Sequence, residues 1–207
     1  MACLEAETNN MQLLLATENQ GKKRELVSLL ANQGIECLLP SEVLDSPITF
    51  PEENGEIFAE NAFIKANFLY KKTLLPTLAD DSGISVVSLN NFPGIKSARW
   101  VTGDETSRYK GLLEKMKNET QREAFFTCVL CLITPSSPEP HYFEGILKGI
   151  LALEQKGSEG FGYDPIFVPE GETKTLAELG LEYKNTYSHR AVALQKLVQF
   201  LKENMLN

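Results

Sequence analysis

The chain has 207 residues, 43% hydrophobic and 23% charged, with a formal net charge of −8. This length supports one sizeable core, and the composition is that of a globular protein, which excludes a fibrous or disordered chain. The net acidity argues against a general nucleic-acid-binding surface, which needs a basic stripe or patch, so any anion must be bound locally.

No apolar run approaches the roughly 20 residues that span a bilayer, and the acidic, polar start lacks a hydrophobic signal core; a cytoplasmic protein without membrane attachment is expected. Residues 1–10 read as an N-terminal extension and residues 11–207 as a single domain. The cysteines Cys3, Cys37, Cys128 and Cys131 are too few and scattered for a disulfide framework and are expected to be reduced. Cys128 and Cys131 form a C-x-x-C, but they lie inside the apolar run 125–133 and have no second ligand pair at zinc spacing, so they are expected in the core.

In chain order, residues 11–16 form a short apolar strand, and residues 20–33 a helix with Leu26, Leu29 and Leu30 on one face, closed by Gly34. A strand follows at 35–39, then a helix over 56–72 with Ile57, Ile64 and Phe68 as its apolar stripe. Residues 77–80 and 84–89 read as two strands flanking a turn. Asp104 caps a helix to about Lys117, strands run over 124–134 and 141–153, and residues 134–140 form the turn between them. Ser188 caps a last helix whose Leu194, Leu197, Val198 and Leu201 share a face. Alternating helices and strands followed by adjacent antiparallel strands predict an α/β fold with a mixed sheet.

Five segments carry candidate chemistry. The turn Thr17-Glu18-Asn19-Gln20-Gly21-Lys22 opens the first helix, with Lys22, Lys23 and Arg24 in a first turn where the helix dipole disfavours cations. A bound polyphosphate would remove that cost, held by free amides, Thr17, Asn19 and Lys22. Lys23 and Arg24 are expected on the solvated surface. In Asp80-Asp81-Ser82-Gly83 the strand alternation allows one carboxylate to face a given cleft, and Asp81 is taken as that one; the same residues also suit a plain surface turn. Glu52 or a neighbouring glutamate before the second helix could join Asp81 around Mg²⁺, which uses one or two carboxylates plus substrate phosphates; an acidic helix start is equally consistent with the spacing. Gly160-Phe161-Gly162-Tyr163-Asp164 places aromatics on a tight backbone suited to stacking on a base, with Asp164 as an acceptor for a ring NH. Lys184 precedes Ser188-His189-Arg190 at the start of the last helix, where two potential cations again sit against the dipole and a bound phosphate or carbonyl oxygen would account for their position.

Taken in order, Thr17-x-Asn19-x-x-Lys22, Phe58-x-Glu60-Asn61-Ala62-x-x-Lys65-Ala66, Ala79 to Gly83, Pro93-Gly94-x-x-Ser97-Ala98-Arg99, Gly160 to Phe167, and Lys184 with Ser188-His189-Arg190 resemble the inosine triphosphate pyrophosphatase family over most of the chain. The resemblance implies an elongated, two-lobed α/β fold with a long mixed β-sheet flanked by helices and a central cleft, a homodimer, and Mg²⁺ as cofactor. It implies hydrolysis of ITP, dITP or XTP between the α and β phosphates, with pyrophosphate released. By motif, Asp81 and Lys22 would be catalytic, Glu52 and Asp81 would hold the metal, and residues 17–22, Ser82, Phe161 to Asp164, Lys184, His189 and Arg190 would bind substrate. Glu18 stands where the family usually has glycine, which brings a negative charge to the phosphate turn. A pyrophosphatase for other modified nucleotides and a non-catalytic nucleotide sensor are the alternatives.

Overall fold

A computed structural model describes residues 11–204; the N-terminal extension assigned to residues 1–10, with Cys3, lies outside the described residues. Strand β1 (Gln12–Ala16) leads into helix α1 (Gln20–Ala31) and strand β2 (Glu36–Leu38). A short helix α2 (Pro40–Val43) and a longer α3 (Phe58–Thr73) follow, then strand β3 (Thr77–Val86), the short β4 (Phe92–Pro93) and helix α4 (Glu105–Lys115). Strands β5 (Glu123–Thr134), β6 (Ser137–Leu151) and β7 (Phe167–Pro169) precede helices α5 (Leu176–Tyr187) and α6 (His189–Asn204).

The strands form one seven-stranded mixed sheet in the order β2-β1-β3-β5-β6-β7, with β4 beside β3. β1 runs parallel to β2 and β3, and the remaining pairs are antiparallel. Toward the β1 end two cores lie on opposite sides of the sheet. α1 and α6 pack over Leu13, Leu15, Leu78 and Leu130 on one side, and α3 packs over Leu14, Ala16, Ala79 and Cys131 on the other. A third core, at the other end of the long strands, joins Ile84, Val86, Phe126 and Leu151 to α4 and to Tyr163, Phe167 and Leu176. The mixed α/β sheet expected from the sequence is present, and its three cores flank a cleft.

Most elements fall where periodicity put them. Leu194, Leu197, Val198 and Leu201 of α6 are buried as expected; burying each such side chain stabilises by about 1.5–3 kcal/mol. Ser188 caps α6, its Oγ accepting the Ala191 N–H at 3.1 Å. Asp104 caps α4 through the Ser107 N–H at 2.8 Å. Cys128 and Cys131 are core residues on opposite faces of β5, in different cores.

Three expectations need correction. The apolar stripe of α3 is not Ile57, Ile64 and Phe68, since the buried face carries Asn61, Ala62, Lys65, Ala66 and Leu69. Small alanines let the helix lie close to the sheet, while Phe68 turns aside to pack against Phe50, with ring centres 5.7 Å apart. The turn expected over 134–140 is shorter, because β6 already begins at Ser137 and pairs it with Thr134. Most consequentially, 77–80 and 84–89 are not two strands around a turn. β3 runs unbroken through Asp80-Asp81-Ser82-Gly83, because β5 pairs with it at every residue from Thr77 to Val86.

The other edge of β3 explains where a ligand can enter. Pairing with β1 stops at Ala79, and pairing with β4 begins at Ser85. Between them the strand has no neighbour. Part of the gap is closed by Ser97, whose Oγ accepts the Ile84 N–H at 2.9 Å and donates to the Gly94 carbonyl at 2.6 Å. The remainder faces the N-terminus of α1, at the carboxyl end of parallel β1, where open α/β sheets place their ligands.

Candidate active site

The turn from β1 into α1 is shaped by its own side chains. Asn19 caps the helix by accepting the Lys22 N–H at 3.0 Å, and its own N–H donates to Thr17 Oγ1 at 3.2 Å. This aims Lys22 at the open edge of β3, where it reaches carboxylates from both faces of the strand. Its Nζ lies 2.5 Å from Asp80 Oδ1 and 3.9 Å from Asp81 Oδ1. Burial alone would pull the Lys22 ammonium down, but Asp80 and Asp81 outweigh it and raise it.

Asp80 accepts four bonds. Oδ1 takes Lys22 and the Ser82 hydroxyl at 3.0 Å, and Oδ2 takes Arg190 Nε at 2.8 Å and the Cys128 thiol at 3.1 Å. Although burial opposes ionisation, Arg190 and Lys22 hold this carboxyl well below the usual range. Arg190 also binds Glu25, Glu25 binds Lys184, and Lys184 Nζ binds Asp164 Oδ2 at 2.5 Å. Lys22, Asp80, Arg190, Glu25, Lys184 and Asp164 therefore alternate in sign along one nearly buried chain of ion pairs. Each buried charge has a partner on both sides except at the ends, which is the condition under which such groups are tolerated.

On the other face of β3, Asp81 meets Lys65 of α3, Nζ to Oδ1 at 3.6 Å. Lys65 in turn holds Glu53 at 2.6 Å, and Glu53 binds Arg99 at 2.8 Å. The loop carrying Glu53 is tied to α3 where Asn61 Oδ1 accepts the Gly55 N–H at 2.8 Å. Burial pushes the Asp81 carboxyl up, against Lys22 and Lys65 and with reinforcement from Glu53 and Asp80. Its Oδ2 is buried without a hydrogen-bond partner among the described residues. Glu52, the second metal ligand expected by motif, is exposed; its neighbour Glu53 is the carboxylate that flanks Lys65 together with Asp81.

Beside Lys22 a pocket is lined by Asn19, Ser82, Phe161, Lys184, His189 and Arg190 among others. Phe161 forms one wall. Lys184 Nζ sits 4.6 Å from its ring centre, and Gly21 of α1 lets it approach so closely that a β-carbon there would lie 2.5 Å from the ring. The loop bearing Phe161 turns at Gly160, with φ +80°, where any side chain would also collide with Asp164 Oδ2. Opposite, the His189 ring stacks on Phe126 at 4.7 Å with 9° between planes. Burial, helped by Arg190, lowers His189 well below the usual imidazole range, so it is neutral at pH 7. Its Nδ1 is buried and without a partner among the described residues.

Residues 13–200 match the Ham1 family. The chain belongs to the Ham1 family. A relative from Aquifex aeolicus, named dITP/XTP pyrophosphatase, is 40% identical over 203 residues, covering 93% of this chain and 97% of its own. The Escherichia coli protein of the same name is 42% identical over 196 residues, covering 92% and 98%. Among solved structures, a HAM1 protein from Coxiella burnetii superposes with a TM-score of 0.81 at 37% identity, covering 93% of this chain and 99% of that one.

In this Ham1 chain, Asn19, Lys22, Ser82, Phe161, Gly162, Tyr163, Asp164, Lys184, His189 and Arg190 line one pocket. Thr17, Glu18 and Gln20 instead border a neighbouring groove with residues 39–50. Gly21 serves as space for Phe161. Tyr163 is buried as a strut, accepting from Trp100 Nε1 and donating to the Ser97 carbonyl, each at 2.7 Å; burial pushes its hydroxyl up to about 12. Of the backbone donors in this loop, the Phe161 N–H is taken by Asp164 at 2.8 Å and the Gly162 N–H by Glu105 at 2.7 Å. Glu25, which belongs to no motif, and Asp80, second to Asp81 by strand alternation, also belong to the network of ion pairs. Glu25 had a legible signal, as an acid three residues after Lys22 on the face of α1 that carries Leu26 and Leu29 inward.

Proposed function

We propose that this chain hydrolyses non-standard purine nucleoside triphosphates, ITP, dITP and XTP, to the monophosphate and pyrophosphate in the cytoplasmic nucleotide pool. The observation that carries this is the position of Lys22, which lines the pocket with Phe161, His189 and Arg190 and also lies 3.9 Å from Asp81, so a nucleotide with its base in the pocket brings its phosphates to Lys22 and toward Asp81.

The base stacks on Phe161, with Lys184, His189 and Arg190 as the polar wall. A 6-oxo group suits that cationic side and an exocyclic amine does not; the mismatch leaves buried groups unpaired, at a cost of about 1–3 kcal/mol per group. Lys22 holds the phosphates at the α1 N-terminus. Asp81 takes the proton of the attacking water as its oxygen bonds to the α-phosphorus and the bond to the β-phosphate oxygen breaks, the electron pair leaving with pyrophosphate. A raised carboxyl in a partly desolvated position suits that role.

Asp81 and Glu53 are the residues that would hold Mg²⁺; the orphaned Asp81 oxygen fits a cation, and no three His, Cys, Asp or Glu side chains converge among the described residues. An ion held by two carboxylates and substrate oxygens would supply neutralisation of the phosphate charge.

A homodimer is part of this proposal. Tyr142, Ile146 and Ile150, four residues apart on β6, are exposed on one face of the sheet with Glu144 and Lys148 between them, and exposed Val87 lines a groove with Ile150. Sedimentation or size-exclusion of the wild type and of Ile146→Lys tests it, with a dimer expected for the first and a monomer for the second. No helix among the described residues is long and apolar enough to cross a membrane.

The deciding experiment measures pyrophosphate release from ITP, dITP, XTP, ATP and GTP with and without Mg²⁺. Rapid release from the first three, dependent on Mg²⁺, is expected. Release from none of the five, or equal rates for ATP and ITP, would overturn the proposal.

A further inference from the structure

Glu105 is the first residue of α4, and its Oε2 accepts the Gly162 N–H at 2.7 Å. Its side chain is 43% exposed, and Oε1 lies 4.0 Å from Arg108. Both residues line the pocket rim. The loop around Phe161 is thus held at three successive residues by different groups: Phe161 N–H by Asp164, Gly162 N–H by Glu105, and the Tyr163 hydroxyl by Trp100 and Ser97.

The middle hold differs from the other two. Gly162 has φ +65° with no atom near the position of a β-carbon, so no side chain restrains its rotation. Its N–H and the Phe161 carbonyl belong to one planar peptide unit, so the direction of that N–H sets the direction of the carbonyl, which accepts the Asp164 N–H at 3.3 Å. Glu105, by holding the N–H, fixes the plane on which Phe161 is mounted. The ring then meets Gly21 and Lys184 on its other side.

We propose that Glu105 is a positioning residue for base recognition, holding Phe161 in its stacking orientation through the Gly162 peptide. This rests on the reading above that the base stacks on Phe161. Because the carboxylate acts on the loop and not on the phosphates, losing it weakens binding of a nucleotide while leaving a base-free polyphosphate unaffected.

The test compares wild type, Glu105→Ala and Glu105→Gln for kcat and KM on ITP and for competitive inhibition by inorganic tripolyphosphate, together with amide exchange at Gly162. In Glu105→Ala the KM is expected to rise about five- to tenfold, as fits the loss of one charge-assisted hydrogen bond, with kcat within about twofold of wild type. Tripolyphosphate inhibition stays unchanged, and Gly162 exchanges faster. Glu105→Gln, which keeps an oxygen acceptor, restores KM and protection. An unchanged KM in Glu105→Ala, a parallel loss of tripolyphosphate binding, or no rescue by glutamine would overturn the proposal. A wild type that released no pyrophosphate from ITP would instead refute the parent reading, and unchanged Gly162 exchange in Glu105→Ala would then overturn the loop assignment itself.

Discussion

Asp80 and Arg190 are separated by 110 residues in the chain and meet at 2.8 Å in a contact from which solvent is almost wholly excluded. The bond ties the middle strand of the sheet to the first turn of the last helix. Asp80→Asn removes the charge that compensates Arg190 and Lys22 together. Breaking one member of a buried ion network costs about 3–5 kcal/mol. Urea unfolding should therefore show a lower midpoint at unchanged slope.

Asp81, one residue further along, has the opposite character. Its carboxyl is raised by burial, and one oxygen has no partner among the described residues. Asp81→Asn is expected to lower kcat for pyrophosphate release on the order of 10²- to 10⁴-fold. The melting temperature should stay level or rise, since a neutral amide has no charge to desolvate. Calorimetry beside a coupled pyrophosphate assay checks both halves.

Gly21→Ala separates packing from backbone. The residue is the second of α1, where alanine is the better helix former by up to roughly 1 kcal/mol. Its β-carbon, however, would lie 2.5 Å from the Phe161 ring and must push it aside. The expected outcome is near-normal stability with a higher KM for ITP, read by denaturation and steady-state kinetics on the same preparation.

The neutral, buried His189 predicts a pH dependence of stability. Its imidazole is well below the usual range in the folded protein, while in the unfolded chain it titrates near ~6.5. As pH falls below that value the unfolded state takes up a proton that the native state refuses, so stability is lost with acidification and is retained above it. Between pH 7.5 and 5.5 (roughly one unit either side of an ordinary histidine) the fall in melting temperature should be shallower in His189→Gln. An identical slope in both proteins would contradict the assignment.

Much of the site was legible because its chemistry sits at helix starts. Lys22 and Arg190 are cations where the helix dipole disfavours them, and the structure brings both to one pocket with the neutral His189 and with Lys184 from the last turn of α5. What remained hidden depended on tertiary pairing. Asp-Asp-Ser-Gly has the local preferences of a turn, yet β5 holds it extended, and nothing local reveals that partner. Strand alternation turns Asp81 alone toward one cleft, whereas Lys22 approaches the strand edge-on and reaches Asp80 more closely. Helix α5 was overlooked although Thr175 and Glu178 form a capping box, because Gly180 at φ +79° interrupts its periodicity. The choice between Glu52 and Glu53 turns on which of two adjacent glutamates the loop tied to Asn61 directs at Lys65.

The unbroken pairing of β3 with β5 has a mechanical corollary. All ten residues of β3 are in register with the same neighbour, from the core under α3 to the core under α4. That pair of strands is a common beam beneath both halves of the molecule, and a hinge through it would break ladder bonds at its midpoint. Closing around a guest therefore falls to the segments that overhang the beam, those before α4 and around Phe161, so the floor bearing Asp80 and Asp81 keeps its shape while the walls adjust.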